Sequence, residues 1–359
     1  MLAAAYGRHG KASNVMRVRE IPKPPTPPSS SGLLLVKVSA ASLNPADYKS
    51  AEGEQMLLLG FDWPRVYGFD FSGTVVTSGD DRFAEGDEVF GMISGLPQFN
   101  KGTCAEYVSV DADVCVLKPN NVSHREAAAV PLVSITAVKM LRACNPAPGA
   151  RMLVLGGAGG VGSHAVQLAK KMFKARTVVA TASAAKAEAV KSFGADEIVD
   201  YRSSKFEEVL EAGSFDVVLD CTGEAWRAVD LLKEGGGMCS IQAGPTVDAV
   251  TTWLDESQMD TKRILTGVWT FLHSGVGGGL MNLVTGGRSL TNACEARGAT
   301  FAHIIGTGNG EIMNEVAKLM EAGALKAVID SEWELKDTGK AIEKLKGGRA
   351  LGKIVIIVR

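Results

Sequence analysis

The chain has 359 residues, long enough for a large buried core and for two domains. Its apolar share of 46% and charged share of 22% are those of an ordinary soluble globular protein, and a formal net charge of −2 argues against a nucleic-acid-binding face, which would be basic. Cysteines at 104, 115, 144, 221, 239 and 294 form no C-x-x-C pair, so they read as reduced, buried thiols and not as a disulfide framework.

The N-terminus, Met1 to Tyr6, runs straight into strand-like sequence and lacks a basic region followed by a long apolar core. No secretory signal is expected; the chain reads as cytoplasmic, or as mitochondrial or chloroplast if a transit peptide has been removed. Up to about Ser123, short β-like runs at 32–39, 69–77, 87–92 and 105–110 are punctuated by glycine and proline, as in an irregular β-rich domain. The proline-rich stretch 22–28 reads as a surface loop.

The second region, 124–308, carries the most informative motif. The apolar strand at 152–155 ends in the glycine loop of LVLGGAGGVG, and a helix beginning near Gly160 follows. Gly157, Gly159 and Gly162 stand at G-x-G-x-x-G spacing: the first permits a tight turn, the second lets backbone approach a pyrophosphate, and the third allows close helix–strand packing. Free amides at Gly160 and Val161 and the positive end of the helix would meet the phosphates. Further strands are expected at 177–182, 197–201, 215–220, 237–242 and 299–305, with helix-patterned segments such as 186–193 and 224–233 between most of them. That alternation implies a parallel, doubly wound sheet and dinucleotide binding.

The dinucleotide is decided about 20 residues past the glycines, at the end of the second strand. The chain there reads VVATASAAK, and its first acid is Glu188, already on the next helix. Ser183 can donate a hydrogen bond and Lys186 offers a compact cation for a 2′-phosphate, so NADPH is favoured over NADH. The alternative is an ordinary helix cap followed by a solvated lysine.

The stretch 264–287 contains no Asp, Glu, Lys or Arg and is long enough to span a bilayer, yet its many glycines would make a poor helix. A buried strand at 264–271, a glycine turn and a short helix are expected, with peripheral membrane contact as the alternative. The last region, 309–359, reads as helix (311–322), strand (327–330), helix (336–345) and strand (353–358).

Several segments together resemble the zinc-free medium-chain dehydrogenase/reductases of the quinone oxidoreductase type. They are SLNPAD at 42–47, GFDFSG at 68–73, GDEVFG at 86–91, AAAVPLVSITA at 127–137, GGAGGVGSHAVQLAK at 156–170, FGADEIVDY at 193–201, FDVVLDCTG at 215–223 and GRALGKIVI at 348–356. Within that family the chain is most similar to plant chloroplast-envelope quinone oxidoreductase homologues and mitochondrial reticulon-interacting NADPH oxidoreductases. The resemblance implies an α/β fold: a GroES-like catalytic domain made from 1–123 and 309–359, with a Rossmann NADPH-binding domain at 124–308 between them and the active site in the cleft. It further implies that Tyr201 joins Ser183 and Lys186 around the 2′-phosphate, that Thr136 reaches the nicotinamide amide, and that Lys353 lies near the cofactor. A homodimer is common among such relatives.

Metal-dependent relatives hold a catalytic zinc on Cys and His. Here Asn44 and Phe69 occupy those positions, and neither an amide nor a phenyl ring ligates zinc. Between residues 90 and 115 the sole cysteines are Cys104 and Cys115, too few for a four-thiolate lobe. Without a Lewis acid, alkoxide formation is costly, and a conjugated acceptor such as a quinone or an enone fits better. Asn44 would bond the cofactor ribose or the acceptor oxygen, with Asp47 anchoring its loop. Tyr48 is the nearest phenol for proton donation, although packing or surface placement is the other reading and water another proton source. His164 and His303 read as packing or satisfied core residues. An enoyl-thioester reductase would need a basic entrance, for which Lys49, Arg65 and Lys101 are the candidates. The remaining alternative is a cofactor-binding scaffold or assembly subunit with weak or no catalysis.

Overall fold

A computed structural model describes residues 1–53, 64–93, 102–242 and 289–358. The stretch 264–287 and Lys101 lie outside the described residues. In chain order the elements are β1 (Leu2–Tyr6), β2 (Met16–Glu20), β3 (Leu33–Leu43), α1 (Pro45–Glu52), β4 (Arg65–Val66), β5 (Asp70–Ser78), β6 (Glu88–Met92), β7 (Tyr107–Asp111) and β8 (Cys115–Leu117). There follow α2 (His124–Ala128), α3 (Pro131–Cys144), β9 (Arg151–Leu155), α4 (Gly160–Lys171), β10 (Thr177–Ala182), α5 (Ala187–Ser192), β11 (Glu197–Asp200), β12 (Phe215–Asp220), β13 (Leu232–Ser240) and β14 (Thr300–His303). The chain closes with α6 (Gly310–Glu321), β15 (Ile329–Glu334), α7 (Thr338–Lys346) and β16 (Lys353–Ile357).

Two compact units result. Among the described residues, one takes those of Met1–Leu132 and Thr307–Arg359, and the other those in 133–242 and 289–306. The division falls after Leu132 and not after Ser123, because α2 packs on β3 and β5 of the first unit. In that unit β16 pairs antiparallel with β3 at Ile354↔Leu43, so the last strand is built into the sheet begun by the N-terminal segment. The sheet order is β15-β16-β3-β5-β6-β8, with β7 also on β3, and a second sheet runs β2-β1-β4.

The second unit is a six-stranded sheet in the order β11-β10-β9-β12-β13-β14, parallel throughout. Its central strands are buried on both faces, which is why β9 (RMLVL) and β12 (FDVVLD) read as continuous apolar runs without alternation. Leu153, Phe206, Phe215, Val218 and Met238 pack together in its core.

The doubly wound sheet and the β-rich unit expected from the sequence are both present. The segment 224–233 differs: its helix stops at Ala225–Ala228, a 3₁₀ turn takes Val229–Leu231, and β13 starts at Leu232. Burial of Leu231 and Leu232, with Gly235–Gly237 poor in helix propensity, favours the strand over a longer helix. All six cysteines are free thiols. Among the described residues no helix is long and apolar enough to cross a membrane.

A backbone contact fixes the centre of the first sheet. A Cβ at Gly73 of β5 would lie 2.1 Å from the Lys37 carbonyl oxygen, beside the irregular β3–β5 register between Val38 and Ala40. Gly73→Ala is therefore expected to lower the unfolding free energy by about 1–3 kcal/mol, read as a shifted urea midpoint. An unchanged midpoint would show that the sheet yields at this bulge.

Candidate active site

In the second unit, β9 ends at Leu155 and the chain turns at Gly156, whose φ of +82° suits glycine. Two of the three motif glycines are required by close packing. A Cβ at Gly162 would stand 2.1 Å from the Gly156 oxygen, and one at Gly157 would stand 2.8 Å from the Ala180 Cβ on β10. Gly159 is the N-cap of α4, and no side chain caps the helix. The amides of Gly160, Val161 and Gly162 open the helix, beyond reach of the i−4 carbonyl partners that later amides use, so this end suits a pyrophosphate. The loop is tied to β10 by bonds from Gly156 N to Thr181 Oγ1 (2.8 Å) and Gly157 N to Thr181 O (3.0 Å).

The next turn toward the cofactor side is held by a residue the sequence reading passed over. Asp220, fully buried at the end of β12, accepts bonds from the amides of Thr222, Gly223, Glu224 and Ala225 and from Ser240 Oγ. It thereby sets Thr222 against Gly156, where an added Cβ would meet the Thr222 methyl at 2.7 Å. The signal was the D closing FDVVLD, an acid ending an otherwise buried apolar strand.

Ser183 and Lys186 follow the end of β10, and Tyr201 and Arg202 follow the end of β11, which is paired in parallel with it at Ala182↔Asp200. Ser183 is nearly buried, Lys186 half-buried and Tyr201 54% exposed. Arg202, next to it in the chain, has its guanidinium 6.0 Å from the Tyr201 ring centre, and its backbone amide donates to Asp200 Oδ1. Glu188 points to solvent and pairs with Lys191. Thr136 is buried on α3. His164 is buried within α4, its Nδ1 3.0 Å from the Gly160 oxygen, and His303 is buried on β14.

In the first unit a polar cluster is sealed from solvent. Asp70 at the start of β5 has no exposed surface. Its Oδ2 accepts from Ser42 Oγ (3.0 Å), Asn44 Nδ2 (2.8 Å) and Lys353 Nζ (3.1 Å), while Oδ1 accepts from the Leu132 amide (2.8 Å) in the first turn of α3. Lys353 also donates to Asn44 Oδ1, so the Asn44 carboxamide is oriented from both ends. Asp47 completes a capping box on α1, accepting from Asn44 N (2.7 Å), and accepts from Gly68 N (2.8 Å) as well. Burial pushes the Asp47 carboxyl up to about 7, against the pull of those two amides and of Lys353.

Tyr48 is half-buried, with the Lys346 ammonium 5.2 Å from its ring centre. Arg65 overturns one expectation: it has no exposed surface and stands opposite Tyr6 in the β1–β4 pairing, its charge acting on the Tyr6 hydroxyl, so it belongs to the packing of β4 on β1 and forms no basic entrance. The structure also brings together a trio that spacing did not suggest. Ser72 Oγ lies 2.8 Å from His124 Nδ1, and His124 Nε2 lies 3.0 Å from Glu88 Oε1. Ser72 is fully buried and donates to the Val89 carbonyl, so the trio fastens α2 to the sheet and offers no nucleophile.

Residues 30–120 match the alcohol dehydrogenase GroES-like domain, and residues 193–356 match the zinc-binding dehydrogenase domain. The chain is 35% identical to 2-methylene-furan-3-one reductase of Solanum lycopersicum, over 90% of this chain and 71% of that one. It is 32% identical to the chloroplastic NADPH-dependent alkenal/one oxidoreductase of Arabidopsis thaliana, over the same shares of the two chains. Among solved structures, the quinone oxidoreductase from Coxiella burnetii superposes with a TM-score of 0.80 at 27% identity, covering 100% of this chain and 99% of that one.

Asp47 makes stability depend on pH. Its carboxyl holds a proton in the folded protein that the unfolded chain releases. The resulting stability is full below about pH 4 and is lost as the pH rises through about 7. Asp47→Asn should flatten the decline of unfolding free energy across that window by on the order of 1–4 kcal/mol, measured by urea titrations at a series of pH values. Parallel pH curves for the two proteins would contradict the assignment.

Proposed function

Because the chain belongs to the medium-chain dehydrogenase/reductase family, in its quinone oxidoreductase branch, we propose that it is a zinc-independent, NADPH-dependent oxidoreductase acting on quinones or α,β-unsaturated carbonyl compounds. The observation that carries this reading is Asn44. Where metal enzymes of the family place a thiolate, this chain holds a carboxamide already engaged by Asp70 and Lys353. An amide and an ammonium can bond a carbonyl oxygen that gains negative charge; they cannot anchor a zinc-bound alkoxide.

Bound NADPH supplies the hydride. The amides of Gly160, Val161 and Gly162, with Gly157 and Gly159 shaping the turn, hold the pyrophosphate. Ser183, Lys186 and Tyr201, with Arg202 added, surround the 2′-phosphate, and Thr136 bonds the nicotinamide carboxamide. In the first unit Asn44 and Lys353 are the groups that would bond the oxygen on which charge develops, exchanging bonds now made within the cluster. A conjugated acceptor spreads that charge onto oxygen, so positioning and a polar lining suffice without a strong acid. Tyr48 can donate the final proton; with its ring face set against Lys346, water is the simpler source. The enoyl-thioester alternative loses support from Arg65, which is buried. Dimers and tetramers are common in the family, and a homodimer is assigned here, to be checked by light scattering. The compartment is the cytoplasm or an organelle, as for the chloroplastic relative.

The deciding experiment follows absorbance at 340 nm while NADPH or NADH is offered with a quinone, an enone and an enoyl thioester. Oxidation of NADPH by a quinone or an enone is expected. Tight NADPH binding without turnover would instead favour a cofactor-binding scaffold. Lys186→Ala and Arg202→Ala should each raise the KM for NADPH about ten-fold while leaving that for NADH unchanged, the effect of losing one charge-assisted phosphate contact. Equal effects on both cofactors would remove these residues from the 2′-phosphate site.

A further inference from the structure

The Lys353 ammonium is 3% exposed and sits on the strand that closes the sheet against β3. Two of its three N–H groups are accounted for among the described residues, one by Asn44 Oδ1 and one by Asp70 Oδ2. Asp70 is the carboxylate in direct contact with it, while Asp47 and the buried Cys104 thiol also face the cluster. Charged groups on the neighbouring elements are engaged elsewhere. On β15, Asp330 pairs with Lys344 and Glu332 with Arg125 of α2. On α2, His124 bonds Ser72 and Glu88; on α7, Lys346 pairs with Glu52.

A buried ammonium without a counter-charge gives up its proton, because burial disfavours the charged form. A neutral amine would be a far weaker partner for an oxygen gaining negative charge. Asp70 also takes an N–H from Asn44, so one carboxylate fixes both the charge of the ammonium and the face that the carboxamide presents. We propose that Asp70 is a positioning residue of the reductase, holding Lys353 charged and the Asn44 amide oriented, and acting on the acceptor through those two groups. Its tie to Leu132 N links this carboxylate to the first turn of α3 as well. The kinetic part of the inference rests on the reductase reading; the charge on Lys353 does not.

The test uses the full-length chain, with lysine labelled at ¹³Cε and ¹⁵Nζ and the Lys353 resonance identified by its loss in Lys353→Arg. In Asp70→Asn, loss of the Lys353 proton is expected about two pH units or more below the wild type, and the alkaline limb of kcat/KM should move by the same amount. Adding Lys353→Arg to Asp70→Asn should abolish that limb, since guanidinium stays charged. A Lys353 titration unmoved in Asp70→Asn overturns the proposal, as does a uniform fall in kcat/KM with an unshifted profile. Should Asp70→Asn fail to fold, Ser42→Ala removes one donor to the same carboxylate oxygen. It should move the Lys353 resonance in the wild-type pH series, and an unmoved resonance overturns the proposal. Absence of turnover in the wild type would sink the reductase reading alone, because the resonance still reports whether Asp70 controls the charge.

Discussion

A carboxylate with no exposed surface is costly unless every lone pair is met, and Asp70 meets that demand with four donors from three separate stretches of chain. Ser42 comes from β3, Asn44 from the turn after it, Leu132 from the head of α3, and Lys353 from the last strand. The Lys353 bonds form only when β16 returns to pair with β3, 309 residues after Asn44 in the chain. The sheet and the cluster therefore depend on each other. Apolar ladders bring β16 home, and the buried charge makes one register far better than its neighbours. A one-residue slip would carry Lys353 to the opposite face and leave Asp70 without its counter-ion.

Legibility followed the range of the interaction. The glycine loop could be read directly because its logic is local: Gly156 and Gly162 lie within one turn and touch, and the neighbouring strand is met through Gly157. The parallel sheet was equally plain, since strands buried on both faces leave continuous apolar runs. Asp70 could not be read, because an acid in a strand looks the same in sequence whether it faces water or a lysine far along the chain. Asn44 and Lys353 were reached through family resemblance, and only the structure joined them. Arg65 was read as a surface cation by its chemistry, whereas the Tyr6 hydroxyl and the β1–β4 pairing buried it. Arg202 is exposed beside Tyr201, and a cation in the run YRSSK carries no sequence signal that would set it apart. The segment 224–233 was read as helix throughout, but its leucines belong to the core, and the glycines just after it, 235–237, lie in the strand that starts at Leu232.

The two units solve the problem of handling negative charge by different means. In the parallel-sheet unit the available donors are backbone amides at a helix start, placed by a turn in which Gly162 leaves no room for a Cβ against the Gly156 backbone. That arrangement carries no net charge of its own and suits a ligand already ionised, such as a pyrophosphate. In the β-rich unit the donors are side chains, and the positive charge is a real ammonium held by a carboxylate. Such a pair suits a group that is neutral at rest and becomes negative only as hydride arrives, since stabilisation is then greatest at the transition state.

Burial and charge balance inside the cluster together explain the raised carboxyl of Asp47. Lys353 touches Asp70 directly but reaches Asp47 only through space, so one ammonium balances one carboxylate. A second ionised carboxylate would leave the sealed site with an excess negative charge, which burial opposes. Asp47 accordingly keeps its proton to about pH 7, even though two backbone amides favour its ionised form. Its work is geometric in either state, because both oxygens accept amide bonds that hold the Asn44 turn and Gly68 in place. An added Cβ at Gly68, at φ +95°, would lie 2.3 Å from the Thr103 hydroxyl, so the backbone there has little room to drift. The Asn44 amide is thus positioned twice, through its backbone by Asp47 and through its side chain by Asp70. Only the second of these anchors is also the counter-charge of the ammonium.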